Sequence, residues 1–188
     1  MANRNTQGFG LVPAGTLGQT PATSGTGKYK IDAGYATTIF HGGAVSSNAG
    51  YIVEGQGTAD NPMIGVLNGI FYNAATTLKP TFANHYVQVT PANSEDIDAF
   101  VFDNPQQQYV VATDAACAQS GYLETYDMNT SSGSDTTGKS DATLDIGDTS
   151  ADAATFRLLR VAEDPENEDI TAARCSVVVV PNLIELQS

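Results

Sequence analysis

The stretch that decides the fold is residues 63–90, MIGVLNGIFYNAATTLKPTFANHYVQVT, the longest run rich in aliphatic and aromatic residues. Branched and aromatic side chains suit a pleated, half-buried surface, so residues 64–72 and 82–89 are predicted to form strands. Turn-forming residues occupy the segment between them, residues 73–80. The pattern therefore indicates two antiparallel strands joined by a moderately long hairpin connection.

Two glycines, Gly65 and Gly69, interrupt the first of these strands. A glycine inside a strand usually marks a bulge or a tight bend, which predicts a strand that curls. Outward from this pair, the chain shows about nine or ten short strands at roughly 8–12-residue spacing, with no long amphipathic helix. This spacing predicts an all-β fold, either an antiparallel sandwich or a small barrel.

One further hairpin and two further strands are predicted around turn signals. Residues 99–103 and 107–113 flank Asn104-Pro105-Gln106, and proline favours a turn because it cannot continue a ladder. Residues 155–161 and 174–180 flank an acidic loop at residues 163–169. The predicted core residues are the apolar members of these strands: Val66, Ile70, Phe71, Phe100, Phe102, Val110 and Val178.

The N-terminal segment differs in composition from the remainder of the chain. Residues 1–30 contain three bases and no acid, whereas the rest carries the other five bases and all 21 acids, for a total charge of −13. We therefore divide the chain into an extended N-terminal arm, residues 1–30, and a β-rich body, residues 31–188. A segment rich in Gly, Ser, Thr and Pro cannot build its own core. It is either a disordered tail or an arm that orders on a partner through its apolar anchors, Phe9, Leu11, Val12 and Leu17.

The acidic charge disfavours binding to nucleic acid or anionic lipid, and no apolar run approaches the ~20 residues of a membrane span. The N-terminus has no apolar stretch typical of a signal peptide. We therefore expect Cys117 and Cys175 to be free, buried thiols in a reducing compartment.

The catalytic and nucleotide-binding motifs considered are not matched by this sequence, because each lacks required residues or spacing. The run from Gly25 to Lys28 resembles a phosphate loop, but Ala22 and Tyr29 replace its required glycine and hydroxyl residue. The two histidines, His41 and His85, lack metal-ligand spacing, and no nucleophile elbow is present. We therefore expect no enzyme activity, no cofactor and no metal, although any two acids can still meet in space.

Five segments of the chain resemble small structural proteins of tailed bacteriophages, including head decoration (cement) proteins of marine and cyanobacterial phages. These segments are Met1-Ala-Asn-x-Asn-x-x-Gly-Phe-Gly10, Ile64-Gly-Val-Leu-Asn-Gly-Ile-Phe-Tyr72, Lys79-Pro-Thr-Phe-Ala-Asn84, Thr90-Pro-Ala-Asn-Ser-Glu-Asp-Ile97 and Val101-Phe-Asp-Asn-Pro105. The resemblance implies a β-rich virion protein, made in the host cytoplasm, that binds the major capsid protein on the capsid surface and stabilises the DNA-filled head. It implies no catalytic residues, and it leaves a homo-oligomer, including a trimer, open.

Two other functions remain open on the sequence alone. One is a head-surface adhesion module or fibre protein that binds host glycans, for which aromatic residues exposed on loops, such as Tyr51 or Tyr122, would be the sign. The other is a hydrolase with an unusual acid pair. If the chain is a decoration protein, residues 2–27 would form its attachment arm, since an extended segment can add a strand to a partner's sheet edge.

Overall fold

The computed structural model describes residues 3–19, 25–129, 133–147 and 154–187, and this structure is all-β, as predicted. In the described part of the chain, no helix is long and apolar enough to cross a membrane. The strands are β1 (Val12–Thr16), β2 (Gly27–Ile31), β3 (Ala44–Asn48), β4 (Tyr51–Glu54), β5 (Gly65–Asn73), β6 (Pro80–Ala83), β7 (Ile97–Phe102), β8 (Gln107–Ala112), β9 (Thr125–Tyr126), β10 (Met128–Asn129), β11 (Gly133–Ser134), β12 (Lys139–Ser140), β13 (Thr143–Leu144), β14 (Phe156–Val161) and β15 (Ser176–Pro181). Short 3-10 turns occur at Leu17–Gln19, Ala92–Ser94, Gln119–Gly121 and Glu185–Gln187.

The first layer is a six-stranded antiparallel sheet with the order β2-β7-β5-β3-β4, in which β6 also pairs with β5. The two ends of this path, β2 and β4, lie beside each other, so the sheet curls into a barrel-like shape. Its interior is closed by a bridge between Ile39 and Tyr86 and holds the first core cluster. The buried members of that cluster are Ile31, Ile39, Val45, Ile52, Ile64, Leu67, Ile70, Tyr86, Ile97, Ala99 and Val101.

The second layer is a five-stranded antiparallel sheet with the order β1-β8-β15-β14-β9. It packs on the outside of the curled sheet through a second core cluster, to which both layers contribute. Tyr109, Phe156 and Val177 come from the five-stranded sheet, and Met63 and Val66 come from the curled layer. The result is a sandwich-like arrangement, one of the two architectures predicted from the strand spacing.

The antiparallel hairpin predicted within residues 63–90 is confirmed, but its second strand is Pro80–Ala83 and not residues 82–89, of which Tyr86 instead forms a bridge with Ile39. Strands β5 and β6 pair antiparallel, with Phe71 opposite Phe82. The pairing of β5 with β7 shifts register between Leu67 and Gly69, which is the irregularity that the glycine predicted. The strands on either side of the acidic loop, β14 and β15, also pair antiparallel.

The predicted hairpin around Asn104-Pro105-Gln106 is wrong, although both of its strands exist. Strand β7 pairs with β2 and β5 in the curled sheet, whereas β8 pairs with β1 and β15 in the other layer. The turn between them, closed by the Gln107 N–H donating to the Asn104 carbonyl at 3.0 Å, takes the chain from one layer to the other. Tyr109 and Val111 of β8 are fully buried between the layers, and this burial draws the strand away from β7.

The predicted core is correct for three residues and needs correction for four. Val66, Ile70 and Val178 are buried. Phe71, Phe100, Phe102 and Val110 are only half-buried. The physical reason is the two-residue alternation of strands, which places Phe71 on the face opposite to Ile70.

Candidate partner-binding surfaces

The beginning of the chain is fastened to the acidic loop by two asparagines of the opening motif. The Asn3 side-chain amide donates to the carbonyl oxygens of Asp169 at 3.0 Å and Ala173 at 2.9 Å, and its oxygen accepts from the Asp169 N–H at 3.0 Å. The Asn5 backbone N–H donates to Asn167 Oδ1 at 2.7 Å. The loop at residues 163–169, which the sequence marks only as acidic, therefore holds the N-terminal segment.

Further along, the same segment lies too close to the body for side chains. A Cβ atom at Gly8 would come within 1.9 Å of the Asp141 carbonyl oxygen. Gly10 has φ +71°, and a Cβ atom there would lie 2.7 Å from the Gly42 carbonyl oxygen. Leu11, which follows, is 1% exposed and belongs to the second core cluster.

These contacts correct the interpretation of residues 1–30 as an arm separate from the body. In the described part of that range, β1 belongs to the five-stranded sheet and β2 to the curled sheet. Residues 1, 2 and 20–24 lie outside the described residues. The segment is extended, as expected, but its backbone is an integral part of both layers, so the boundary at residue 30 has no structural basis within the described ranges.

The four predicted anchors separate into two groups. Leu11 is buried and therefore unavailable to a partner, whereas Phe9 is half-buried. Val12 is 46% exposed and Leu17 is 38% exposed. Val12 begins β1 and Leu17 directly follows its last residue, Thr16. Among the described residues, β1 is the outermost strand of its sheet and pairs only with β8. An edge strand of this kind offers backbone N–H and C=O groups to an incoming extended segment.

A second exposed apolar surface lies on the convex side of the curled sheet. Two of its three residues, Phe71 and Phe100, are among those that the sequence predicts to lie in the core. Phe71 of β5, Phe82 of β6 and Phe100 of β7 form this phenylalanine face. The Phe71 and Phe82 ring centroids are 4.8 Å apart, and those of Phe82 and Phe100 are 6.1 Å apart. Phe82 is 73% exposed. The position of Phe71 directly after Ile70 could have predicted this surface, because neighbouring residues of a strand face opposite sides of the sheet.

Charged side chains lie beside the phenylalanine face on the same side of the sheet. Asp98 stands opposite Phe71 in the ladder, and its carboxylate accepts Lys28 Nζ at 2.8 Å and Lys30 Nζ at 2.7 Å. Burial alone would raise the pKa of Asp98, but the hydrogen bonds and charges of the two lysines outweigh it and hold that pKa below its ordinary value. The hydrogen bond to Asp98 raises the pKa of Lys30.

The candidate catalytic groups of the sequence are not brought together. Within the described residues, no three His, Cys, Asp or Glu side chains cluster as a metal site. His41 Nδ1 lies 2.9 Å from the Asn68 carbonyl oxygen, and the His85 ring stacks on Phe40. Cys117 and Cys175 are free and buried, and burial raises the pKa of both thiols, that of Cys175 to about 11. These thiols are poor nucleophiles because the reactive thiolate is disfavoured.

The tyrosines that would mark a glycan platform are not exposed on loops. Tyr51 lies within β4, is half-buried, and donates its hydroxyl to Asp96 Oδ2 at 3.2 Å. Tyr122 is half-buried and packs against the second core cluster. The expected sign of the adhesion alternative is therefore missing at these two positions. The large apolar side chains that are exposed include Val12 on β1, Leu17 just after it and Phe82 on β6, besides Leu78, Val87, Leu123 and Leu186.

Comparison of the chain with protein-family models, with curated protein sequences and with solved structures finds no match in any of the three.

Proposed function

We propose that the protein is a phage capsid decoration (cement) protein that binds the outer surface of the major capsid protein lattice and stabilises the DNA-filled head. The single observation that carries the attachment mode is the edge position of β1, which pairs only with β8 among the described residues, with Val12 exposed on the strand and Leu17 exposed directly after it. The resemblance of the chain to phage structural proteins supplies the class of partner. In this proposal the protein is a binding component of the virion and not an enzyme.

Strand addition at β1 explains how a small contact can hold the protein on a capsid. An extended segment of the partner would pair with the side of β1 opposite to β8, so that main-chain hydrogen bonds provide affinity and alternate side chains provide register. Val12 and Leu17 would then contact apolar side chains on the partner. Pro13 lacks an N–H group and lies within β1, so it limits the ladder to a short one.

The ordered state of the N-terminal segment favours this mode over an arm that folds on contact. Ordering a free backbone costs about 1–2 kcal/mol per residue at the moment of binding. Here the contacts of Asn3, Gly8 and Leu11 fix the segment on the body before any partner arrives. The edge is therefore preorganised, which leaves more of the contact energy for affinity.

The proposal is tested by sedimentation of expanded, undecorated heads of the phage that encodes the chain. Full-length protein should co-sediment with the heads and raise their resistance to heat. A Val12→Asp, Leu17→Asp double variant should lose most of the binding, because buried charges would oppose the contact. Leu123→Asp is the matched control, since Leu123 is 63% exposed and distant in sequence from β1.

The two parts of the proposal fail in different ways. If the wild-type protein does not bind these heads, the decoration function is wrong. If wild type and the double variant bind equally well, the function stands and the β1 edge is not the attachment site. Deleting residues 2–27 is not a suitable variant, because it would remove Leu11 from the core along with β1.

A further inference from the structure

We propose that the phenylalanine face is a self-association surface, and that two copies of the chain join edge to edge by antiparallel pairing of β6 with β6 across a two-fold axis at Phe82. The occupant of the face is thus a second copy of the same chain. This inference is independent of capsid binding, because it uses a different edge, on the other sheet.

The backbone of β6 is suited to such pairing. In the described ranges, β6 pairs only with β5. Ala74 donates its N–H to the Lys79 carbonyl at 3.2 Å, which makes that pair a hydrogen-bonded one. Hydrogen-bonded and non-hydrogen-bonded pairs alternate in an antiparallel ladder, so Phe71 and Phe82, three positions on, form a non-hydrogen-bonded pair. The N–H and C=O groups of Phe82 consequently point away from β5, toward the free edge.

These two groups are self-complementary under two-fold symmetry. When Phe82 stands opposite the same residue of the second copy, each N–H donates to the other C=O, and both rings lie on the same face. The rings of Phe71, Phe82 and Phe100 would then continue across the axis as one row of six. Pro80 starts β6 and has no N–H group, so the ladder cannot extend far along the edge. A closed dimer follows, because this contact uses the same patch on both copies.

The local charge permits two copies to approach here. The chain carries a net charge of −13, which opposes contact between most parts of its surface. Beside the phenylalanine face, the two bases Lys28 and Lys30 offset two of the three acids Glu95, Asp96 and Asp98. Asp98 binds both of these bases directly, and Glu95 and Asp96 line the groove that also contains Lys30 and Phe71. These five charged residues leave a net charge of −1, which is small beside the −13 of the whole chain, and an apolar patch with a polar rim is typical of protein interfaces.

Sedimentation equilibrium over a wide concentration series measures this association directly. The wild-type chain, of 19.6 kDa, should show a monomer–dimer equilibrium. Phe82→Glu should remain monomeric at the concentrations where wild type is dimeric. Leu123→Glu, which places the same charge at a residue of similar exposure, should retain the dimer. A wild-type chain that stays monomeric throughout, a trimer, or a Phe82→Glu variant that still dimerises would overturn the proposal.

A second variant tests the pairing geometry through the formation of a new disulfide bond between the two copies. Residues opposite each other in a hydrogen-bonded antiparallel pair have Cα atoms about 5.5 Å apart, within the range of a disulfide. Phe82→Cys should therefore oxidise to a covalent dimer under mild conditions, whereas Leu123→Cys should not. The wild-type thiols are buried and should stay reduced. Equal cross-linking of the two variants, or none at position 82, contradicts edge-to-edge pairing at Phe82.

Discussion

The concave and convex faces of strands β5, β6 and β7 both carry large apolar side chains, but those of the phenylalanine face on the convex side are more exposed. On the concave face, Leu67, Ile70 and Val101 are at most 1% exposed and form the interior of the curled sheet. On the convex face, Phe71 and Phe100 are half-buried and Phe82 is 73% exposed. The bulge between Leu67 and Gly69 lies in the β5–β7 ladder and sets which residues share a face.

This difference shows that apolar residues in a strand predict an apolar face of the sheet, but not whether another part of the protein covers that face. The concave side is covered because the sheet curls until β2 meets β4 and the Ile39–Tyr86 bridge closes it. The five-stranded sheet covers the convex side near Val66. The phenylalanine face lies farther along the same strands, where it remains exposed. Apolar burial contributes about 25 cal/mol per Å², so only the covered residues contribute fully to stability.

The largest expected contrast is between Ile70 and Phe82. Ile70→Ala should reduce the free energy of unfolding by about 2–5 kcal/mol, because it leaves a cavity in a closed interior. Phe82→Ala should change it by no more than about 0.5 kcal/mol, as expected for a surface substitution. Urea unfolding at a concentration where the protein is monomeric measures both. Equal losses would mean that the phenylalanine face is packed and the assigned faces are wrong.

An intermediate loss of stability is expected for substitution of Phe102, which lies between the covered part of the convex face and the exposed phenylalanine face. Its ring is half-buried and packs against the second core cluster, at the end of β7 nearest the five-stranded sheet. Phe102→Ala should therefore cost about 1–3 kcal/mol, less than the ~3–5 kcal/mol of a fully buried phenylalanine. The matched reference is Phe156→Ala, since Phe156 is fully buried in the same cluster. A Phe102 variant that is as unstable as the Phe156 variant would place Phe102 inside the core.

A smaller effect concerns pH and the charges on the convex face. The pKa of Asp98 is lowered in the folded protein, so its contribution to stability is present above its unfolded pKa, about 3.9, and is lost as the pH falls through the folded value. Asp98→Asn should therefore be less stable than wild type near neutral pH, and the difference should shrink between about pH 5 and pH 3. Urea unfolding across this range measures the difference. A gap that stays constant with pH would show that Asp98 is not held ionised by Lys28 and Lys30.

Local sequence patterns predicted several of the strands and the antiparallel pair β5–β6, because period-two patterning and turn residues act over short distances. They did not predict β1 and β2, which lie in the low-complexity segment. They could not predict the partners of β7 and β8. Those strands are adjacent in the chain and pair in different sheets, a choice made by long-range burial of residues such as Tyr109. The wrong hairpin follows from treating proximity in sequence as pairing.

The candidate interfaces were predictable in part. Composition identified Val12 and Leu17 as apolar residues in a polar segment, and both are exposed. The burial of Leu11 could not be foreseen, because it depends on the backbone passing close to Gly42 and Asp141 at the two glycines before it. The role of Asn3 was equally hidden, since its partners lie more than 160 residues away in the chain. In this protein, the contacts that fix a low-complexity segment come from residues distant in sequence, including Gly42, strands β7 and β8, Asp141 and the acidic loop.

The most direct test of the two-face account is hydroxyl-radical footprinting of the unmodified protein, at a dilution where it is monomeric. The method compares residues of the same chemical type, so Phe82 and Phe156 serve as a matched pair that differs only in environment. Phe82, 73% exposed, should be oxidised rapidly, whereas Phe156, fully buried, should be protected until the protein is unfolded. Protection of Phe82 equal to that of Phe156 in the monomer would contradict the central claim that the convex face of the curled sheet is open.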